Sequence, residues 1–223
     1  MEAYSEFTHF TVVSPSPFVA HVEINQPDKL NSFHEAMWLQ LGALFRRLSS
    51  DPDCEKPVIC VLHGVCYGLA IDIASCADVR VCARGARLAV KEVDIGIAAD
   101  IGTLSRLPRV VGSFSWVKDV CMTAREFGPE EAAAVGFVSP GQHQHATKAD
   151  AVAAALAIAT LIAGKSPVAV LGTKELLNHA RDHTVDDSLK YTQVWNAAAT
   201  QTNDAKTALL SGMQKRKPTF EKL

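Results

Sequence analysis

Two hydrophobic rhythms alternate along the chain. Residues 8–13 (THFTVV) and 18–24 (FVAHVEI) are short β-rich runs separated by Ser-Pro-Ser-Pro, which predicts a hairpin. After QPDKLNSF the period changes: Ala36, Met37, Leu41, Leu44, Phe45 and Leu48 recur at helical spacing. A helix is expected from about Phe33 to Leu48, stopping at SSDPDC, with Arg46 and Arg47 near the end that favours cations. PVICVLHG (57–64) is a continuous apolar run ending in glycine, as expected of a strand buried on both faces, and Val79–Ala83 is a second such strand. Between them VCYGLAIDIASCAD predicts a short helix opened by Gly68, with Asp72 on its first or second turn. Together they read as a parallel β-α-β unit.

Farther along, RLPRVVG is expected to end one helix at Pro108, and another begins at roughly 114–124. FGPEEAAAVGFVSP (127–140) predicts a turn, a short helix started by Pro129 and an exit at Gly136 into a short strand. Residues 147–164 are alanine-rich and strongly helical, a further helix follows Pro167, and 184–212 is helical with mixed faces. Strands come first and helices last, and no linker marks a second domain.

Composition narrows the function classes. At 223 residues, 48% hydrophobic and 21% charged, the chain fits one globular domain with a real core. Twenty-two Lys and Arg against 24 Asp and Glu give a formal charge of -2, so nothing global favours nucleic acid or an anionic membrane surface; a small-molecule ligand is the default. The cysteines Cys54, Cys60, Cys66, Cys76, Cys82 and Cys121 form no C-x-x-C pair and follow no apolar signal segment, which predicts reduced, mostly buried thiols. No run of about 18 apolar residues predicts a membrane span. MEAYSEFTHF, with two glutamates and no arginine, argues against a mitochondrial presequence. His143 and His145 in GQHQH, and His179 and His183 in HARDH, lack a matching third ligand and read as surface histidines, so no metal is expected.

The chemistry is carried by acids in apolar company. In AVKEVDIGIAADIGTLSRLP (89–108), Glu92, Asp94 and Asp100 stand among aliphatic residues and glycines, where an ionised carboxylate must find partners or shift its pKa upward. Asp72, Glu92 and Asp100 are twenty and eight residues apart, so only tertiary folding brings them together. Each also has a plain reading as a capping or ion-paired group, and Asp100 before IGTLSRL is placed to cap that helix. Asp94 reads as a turn residue and Asp78 as a strand-leading one. A helix opened at Gly68 offers free N–H groups and a positive dipole end, which can hold a developing oxyanion. With acids nearby, this points to proton transfer beside a carbonyl.

HGVCYGLAIDIASCADVRVCA resembles the central segment of the enoyl-CoA hydratase/isomerase (crotonase) superfamily. KEVDIGIAADIGTLSRLPRVVG, KSPVAV, ARDHTVDDSLKYTQVWN and TFEKL resemble, more narrowly, the dienoyl-CoA isomerase branch, over nearly the whole chain. The resemblance implies an α/β fold, a crotonase-like spiral of β-β-α units over 1–140 followed by a helical C-terminal trimerisation region over 141–223. It implies a 3,5-dienoyl-CoA substrate in fatty acid β-oxidation, no cofactor beyond the CoA of the substrate, and a homo-trimer or homo-hexamer. Glu92 becomes the base at C2, Asp100 the acid at C6 and Asp72 a third carboxylate that tunes or assists them, the apolar setting raising a carboxyl pKa so that it carries a proton near neutrality. Gly68, Leu69 and Ala70 become the oxyanion segment, although the family usually has three glycines there. Lys29 stands where relatives approach the CoA nucleotide, or is a solvated turn lysine.

The resemblance breaks at Cys54–Glu55, where relatives carry roughly fifty more residues, including a strand and an Ala-Gly-x-Asp loop that supplies the other oxyanion donor. The break is either a true deletion or a stretch missing from the sequence as written, and its abruptness favours excision over gradual divergence. Enoyl-CoA hydratase or Δ3-Δ2-enoyl-CoA isomerase activity is an alternative that Asp72 and Asp100 disfavour. A catalytically impaired subunit or interaction protein is another. The closing Glu-Lys-Leu is one residue from a peroxisomal address, matching at Lys222 and Leu223 but not at Glu221, so a peroxisome-type organelle is expected, with mitochondrion or cytosol as alternatives.

Overall fold

A computed structural model describes residues 4–50 and 57–221; the Cys54–Glu55 junction, Lys222 and Leu223 lie outside the described residues. Contacts group the chain into two compact units, one of residues 57–158 and one joining 1–56 to 159–223. In the latter, β1 (Phe10–Ser16) and β2 (Val19–Ile24) pair antiparallel from Phe10 opposite Ile24, turning at Phe18, whose φ is 62°. Helix α1 (Glu35–Ser50) buries Met37, Leu44 and Leu48, and Leu44 and Leu48 join Phe7 and Phe10 in one apolar cluster.

Residues 57–158 form the spiral. The apolar run at 57–64 is not one strand: β3 (Ile59–Leu62) ends at His63–Gly64, where Gly64 takes φ 61°, and β4 (Val65–Tyr67) sets off in a second sheet. Helix α2 (Leu69–Cys76) follows, then β5 (Val79–Cys82) and β6 (Arg87–Ala89). β5 lies parallel to β3, Leu62 opposite Cys82, and β6 parallel to β4, Tyr67 opposite Ala89. Each pass of the chain thus contributes one strand to each sheet, and the helix returns it for the next pass. β3 is half-buried apart from Leu62, rather than buried on both faces, because among the described residues it pairs with β5 alone.

Helices α3 (Thr103–Val110), α4 (Phe114–Thr123) and α5 (Pro129–Ala134) cover this core, which centres on Ile71, Leu88, Leu107, Val120 and Phe137, all without solvent exposure. α3 runs two residues past Pro108, since a proline near a helix end forfeits only one hydrogen bond of the last turn. The strand expected after Gly136 does not form. The Phe137 and Val138 amides both turn back to the Ala132 carbonyl, at 2.8 and 3.1 Å, so the chain wraps the end of α5 before running beside β5.

Arg80 on β5 closes that wrap. Only 7% exposed, its guanidinium donates to the carbonyls of Phe137, Ala77 (2.6 Å) and Ala74 (3.3 Å), and burial lowers its pKa from the ordinary arginine value. Helix α6 (Lys148–Ala163) sets Ala151 and Ala155 against Val81 and Ala83, so the contact grouping runs across residues 140–141. In the other unit, α7 (Pro167–Ala180) is capped by Ser166 and α8 (Val185–Ala199) by Thr184. α9 (Asn203–Met213) follows a break at Thr200–Thr202 that divides the helical stretch expected over 184–212. Among the described residues no single helix is long and apolar enough to cross a membrane.

Arg80→Ala is expected to strip three buried carbonyls of their donor and destabilise the protein by about 3 kcal/mol or more. Urea unfolding checks this; an unchanged midpoint would show that the wrap closes without the guanidinium.

Candidate active site

Gly68 starts α2 with φ 52° and ψ −111°, a conformation suited to glycine, and its N–H is tied to the Ala89 carbonyl at 2.9 Å. The Ile71 amide returns to the Gly68 carbonyl at 2.8 Å, while the amides of Leu69 and Ala70 precede any intrahelical acceptor and form the positive end of the helix. Leu69 and Ala70 already lie in the right-handed helix, and the left-handed requirement falls on Gly68.

Glu92 opens a 3-10 turn, Glu92–Ile95, and reaches this helix start. Its Oε1 would stand 2.9 Å from a Cβ placed on Gly68, and its Oε2 is buried without a hydrogen-bonding partner. Lys91 anchors the turn, donating to the Ala124 carbonyl at 2.8 Å and to Asp94 at 3.1 Å. On α4, burial, with the nearby Glu92 charge adding to it, pushes the Cys121 thiol up to about 11.

Asp72 is the deeply buried acid, at 1% exposure. Its Oδ1 accepts from the Thr103 amide at 2.6 Å and lies 3.7 Å from Arg106, while Oδ2 has no hydrogen-bonding partner. Glu92 thus stands against Gly68 at the start of α2, and Asp72 lies on the first turn of the same helix, turned to the Thr103 amide. Asp100 is exposed, three residues before Thr103 along the chain.

Two sequence expectations change here, the burial of Asp94 and Asp100 and the capping of α3 by Asp100. Of the acids in 89–108, only Glu92 is partly shielded; Asp94 and Asp100 are exposed, because the segment is a loop whose own Ile95, Ile97 and Ile101 stand 74%, 47% and 48% exposed. Asp100 does not cap α3: Gly102 is the N-cap residue, and the free Thr103 amide is met by Asp72 from α2. Lys29 belongs to the other unit, exposed at the end of the 3-10 turn Pro27–Lys29. Cys66, Cys82 and Cys121 are buried, Cys60 is half-buried and Cys76 is exposed; burial pushes Cys66 up to about 11 and Cys82 to about 12, leaving them weak nucleophiles. The His179 and His183 rings stack at 3.7 Å, and His145 pairs with Gln142 at 3.1 Å. Among the described residues no cluster of His, Cys, Asp or Glu is arranged to hold a metal.

Sequence reading missed the supports. Tyr67, which immediately precedes the helix start, and Arg87, which opens β6 opposite Val65, both hold Glu126: Tyr67 Oη donates at 2.5 Å, and Arg87 Nε and Nη2 donate at 2.8 and 2.5 Å. Their partnership follows from the β4–β6 register, which no local pattern shows.

With this geometry in view, comparison with known proteins is decisive. Residues 52–222 match the family model described as enoyl-CoA hydratase/isomerase. The chain belongs to the enoyl-CoA hydratase/isomerase family. It is 34% identical over 272 aligned positions to the mitochondrial Delta(3,5)-Delta(2,4)-dienoyl-CoA isomerase of Rattus norvegicus, covering 95% of this chain and 82% of that protein. It is 41% identical over 189 positions to the peroxisomal enzyme of that name from Arabidopsis thaliana, covering 85% of this chain and 66% of the relative. An enoyl-CoA hydratase/isomerase from Mycobacterium paratuberculosis shares the fold, with a TM-score of 0.88 at 18% identity, over 96% of this chain and 98% of that one. The fold is therefore the crotonase spiral with a helical C-terminal region, and the protein is an enzyme of this family's type. Because 95% of 223 residues is about 212, about 60 of the 272 positions aligned with the rat protein have no residue here.

Arg87 and Tyr67 hold the Glu126 carboxyl down at about 2, against an ordinary 4.5. A carboxylate depressed in the folded state contributes stability that is fully present above pH 4.5 and lost as pH falls toward 2. Glu126→Gln is expected to flatten the acid limb of the melting temperature over that window; an acid limb as steep as that of the unaltered protein would show that the Glu126 network does not support the fold.

Proposed function

We propose that the protein is a Δ3,5-Δ2,4-dienoyl-CoA isomerase of fatty acid β-oxidation. The observation that supports the reading is Glu92 set against Gly68 at the α2 start, with Asp72 buried on the first turn of the same helix and bonded to the Thr103 amide, three residues after Asp100. Glu92 takes a proton from C2 of a 3,5-dienoyl-CoA, and the thioester oxygen receives the resulting charge, facing the amides of Leu69 and Ala70. Conjugation carries the electron pair to C6, where Asp100 delivers a proton, leaving the 2-trans,4-trans product. One proton leaves carbon and one arrives, and the acids return to their starting states through solvent. Asp72 tunes or assists the pair. The chemistry calls for no cofactor beyond the substrate's own CoA.

The exposed Leu189, Val194, Leu209 and Met213 on α8 and α9 support assembly as a homo-trimer or hexamer. Names of relatives support an organelle, peroxisomal or mitochondrial. The second reading, a catalytically impaired family member, is favoured by the roughly 60 absent positions, since losing one oxyanion donor costs on the order of 100- to 1000-fold in rate.

The test is dienoyl absorbance on adding 3,5-dienoyl-CoA. The unaltered protein is expected to turn over, and Glu92→Gln and Asp100→Asn each to lower kcat by about 100-fold or more. Intact turnover in both variants would refute the assignment, and a silent parent protein would favour the impaired reading.

A further inference from the structure

Asp100 is the exposed member of the acid set, and among the described residues its side chain makes no hydrogen bond or ion pair. Its placement therefore depends on the backbone that follows it, and that backbone is clamped by Arg106. One turn into α3, the Arg106 side chain folds back over Gly102, whose φ is 131°, so that a Cβ at this position would overlap the guanidinium. From there Arg106 Nη2 donates to the Ile101 carbonyl at 3.2 Å, and Nε donates to Ser75 Oγ at 3.0 Å. Ser75 Oγ in turn donates to the Asp72 carbonyl at 2.7 Å, and Nη2 stands 3.7 Å from the Asp72 carboxylate that accepts from the Thr103 amide. One side chain thus joins the Ile101–Gly102 peptide, one residue beyond Asp100, to two points on α2.

We propose that Arg106 is a positioning residue of this site, fixing the Ile101–Gly102 peptide on α2 so that Asp100 is held for proton delivery at the far end of the dienoyl chain. The proposal rests on the isomerase reading. Asp72 and Ser75 are the α2 side of the clamp, and glycine at 102 is what allows the guanidinium to lie across the turn. Loss of the clamp misplaces Asp100 while leaving Glu92, on its separate Lys91-anchored turn, where it was.

The separation of the two proton steps makes this testable. In deuterium oxide, exchange of the substrate's C2 hydrogen reports the Glu92 step alone, and dienoyl absorbance reports the whole reaction. Arg106→Gln is expected to lower kcat about 30-fold while KM and C2 exchange stay within about threefold. Asp100→Asn is expected to show the same signature, Glu92→Gln to lose both signals, and Arg106→Lys to recover part of kcat. Exchange and turnover falling together in Arg106→Gln, or an unchanged kcat, would overturn the proposal. Should Arg106→Gln fail to fold, Ser75→Ala removes the Nε acceptor while leaving Arg106 in place. Because it also removes the Oγ–H bond to the Asp72 carbonyl, Ser75→Cys serves as the companion variant; Ser75→Ala is then expected to lower kcat about fivefold with exchange intact, and an unchanged kcat overturns the proposal. If the unaltered protein neither exchanges nor isomerises 3,5-dienoyl-CoA, the isomerase reading fails by itself. Amide hydrogen exchange over 101–106 then judges the clamp separately: faster exchange in Ser75→Ala sustains it, and equal rates remove it.

Discussion

The hydrogen bond from the Thr103 amide to the buried Asp72 carboxylate, at 2.6 Å, is the constraint on which the site depends. A carboxylate at 1% exposure is costly unless something meets its charge. Here an amide at the positive end of α3 does so directly and Arg106 does so from 3.7 Å. The bond crosses from α2 to α3, so the helix that starts at Gly68 and the segment that runs from Asp100 into α3 are held in one frame. Thr103 is itself fully buried, which shields the bond from water and strengthens it.

The second constraint is the backbone of Gly68. Only a residue free to take positive φ leaves β4 and enters α2 within one step, and only one without a side chain leaves room for Glu92 Oε1. Tyr67, Arg87 and Glu126 brace the strands on either side of this step. Leu69 and Ala70 lie inside α2 and make no such demand.

Elements set by local pattern were legible in the sequence. The Gly68-opened helix with Asp72 on its first or second turn, the parallel relation of the runs at 57–64 and 79–83, and the helix at Pro167 all follow from nearby residues. What depended on distant partners was not legible. Apolar company along the chain marked Asp94 and Asp100 as candidates for burial, yet burial is set by what packs from elsewhere, and their loop remains open while Asp72 is enclosed. The strand expected after Gly136 lost to Arg80, which takes the Phe137 carbonyl across 57 residues. Likewise, nothing in the spacing of Ser75, Gly102 and Arg106 announces that they meet.

The central claim is that two different acids serve the two ends of one conjugated system. The most direct test is to run the unaltered protein on 3,5-dienoyl-CoA in deuterium oxide and locate the label in the product by NMR. The account predicts deuterium at C6, since Asp100 delivers a proton drawn from solvent. Protium retained at C6 would mean that one group carries the C2 proton along the chain, and the division of labour between Glu92 and Asp100 would be wrong.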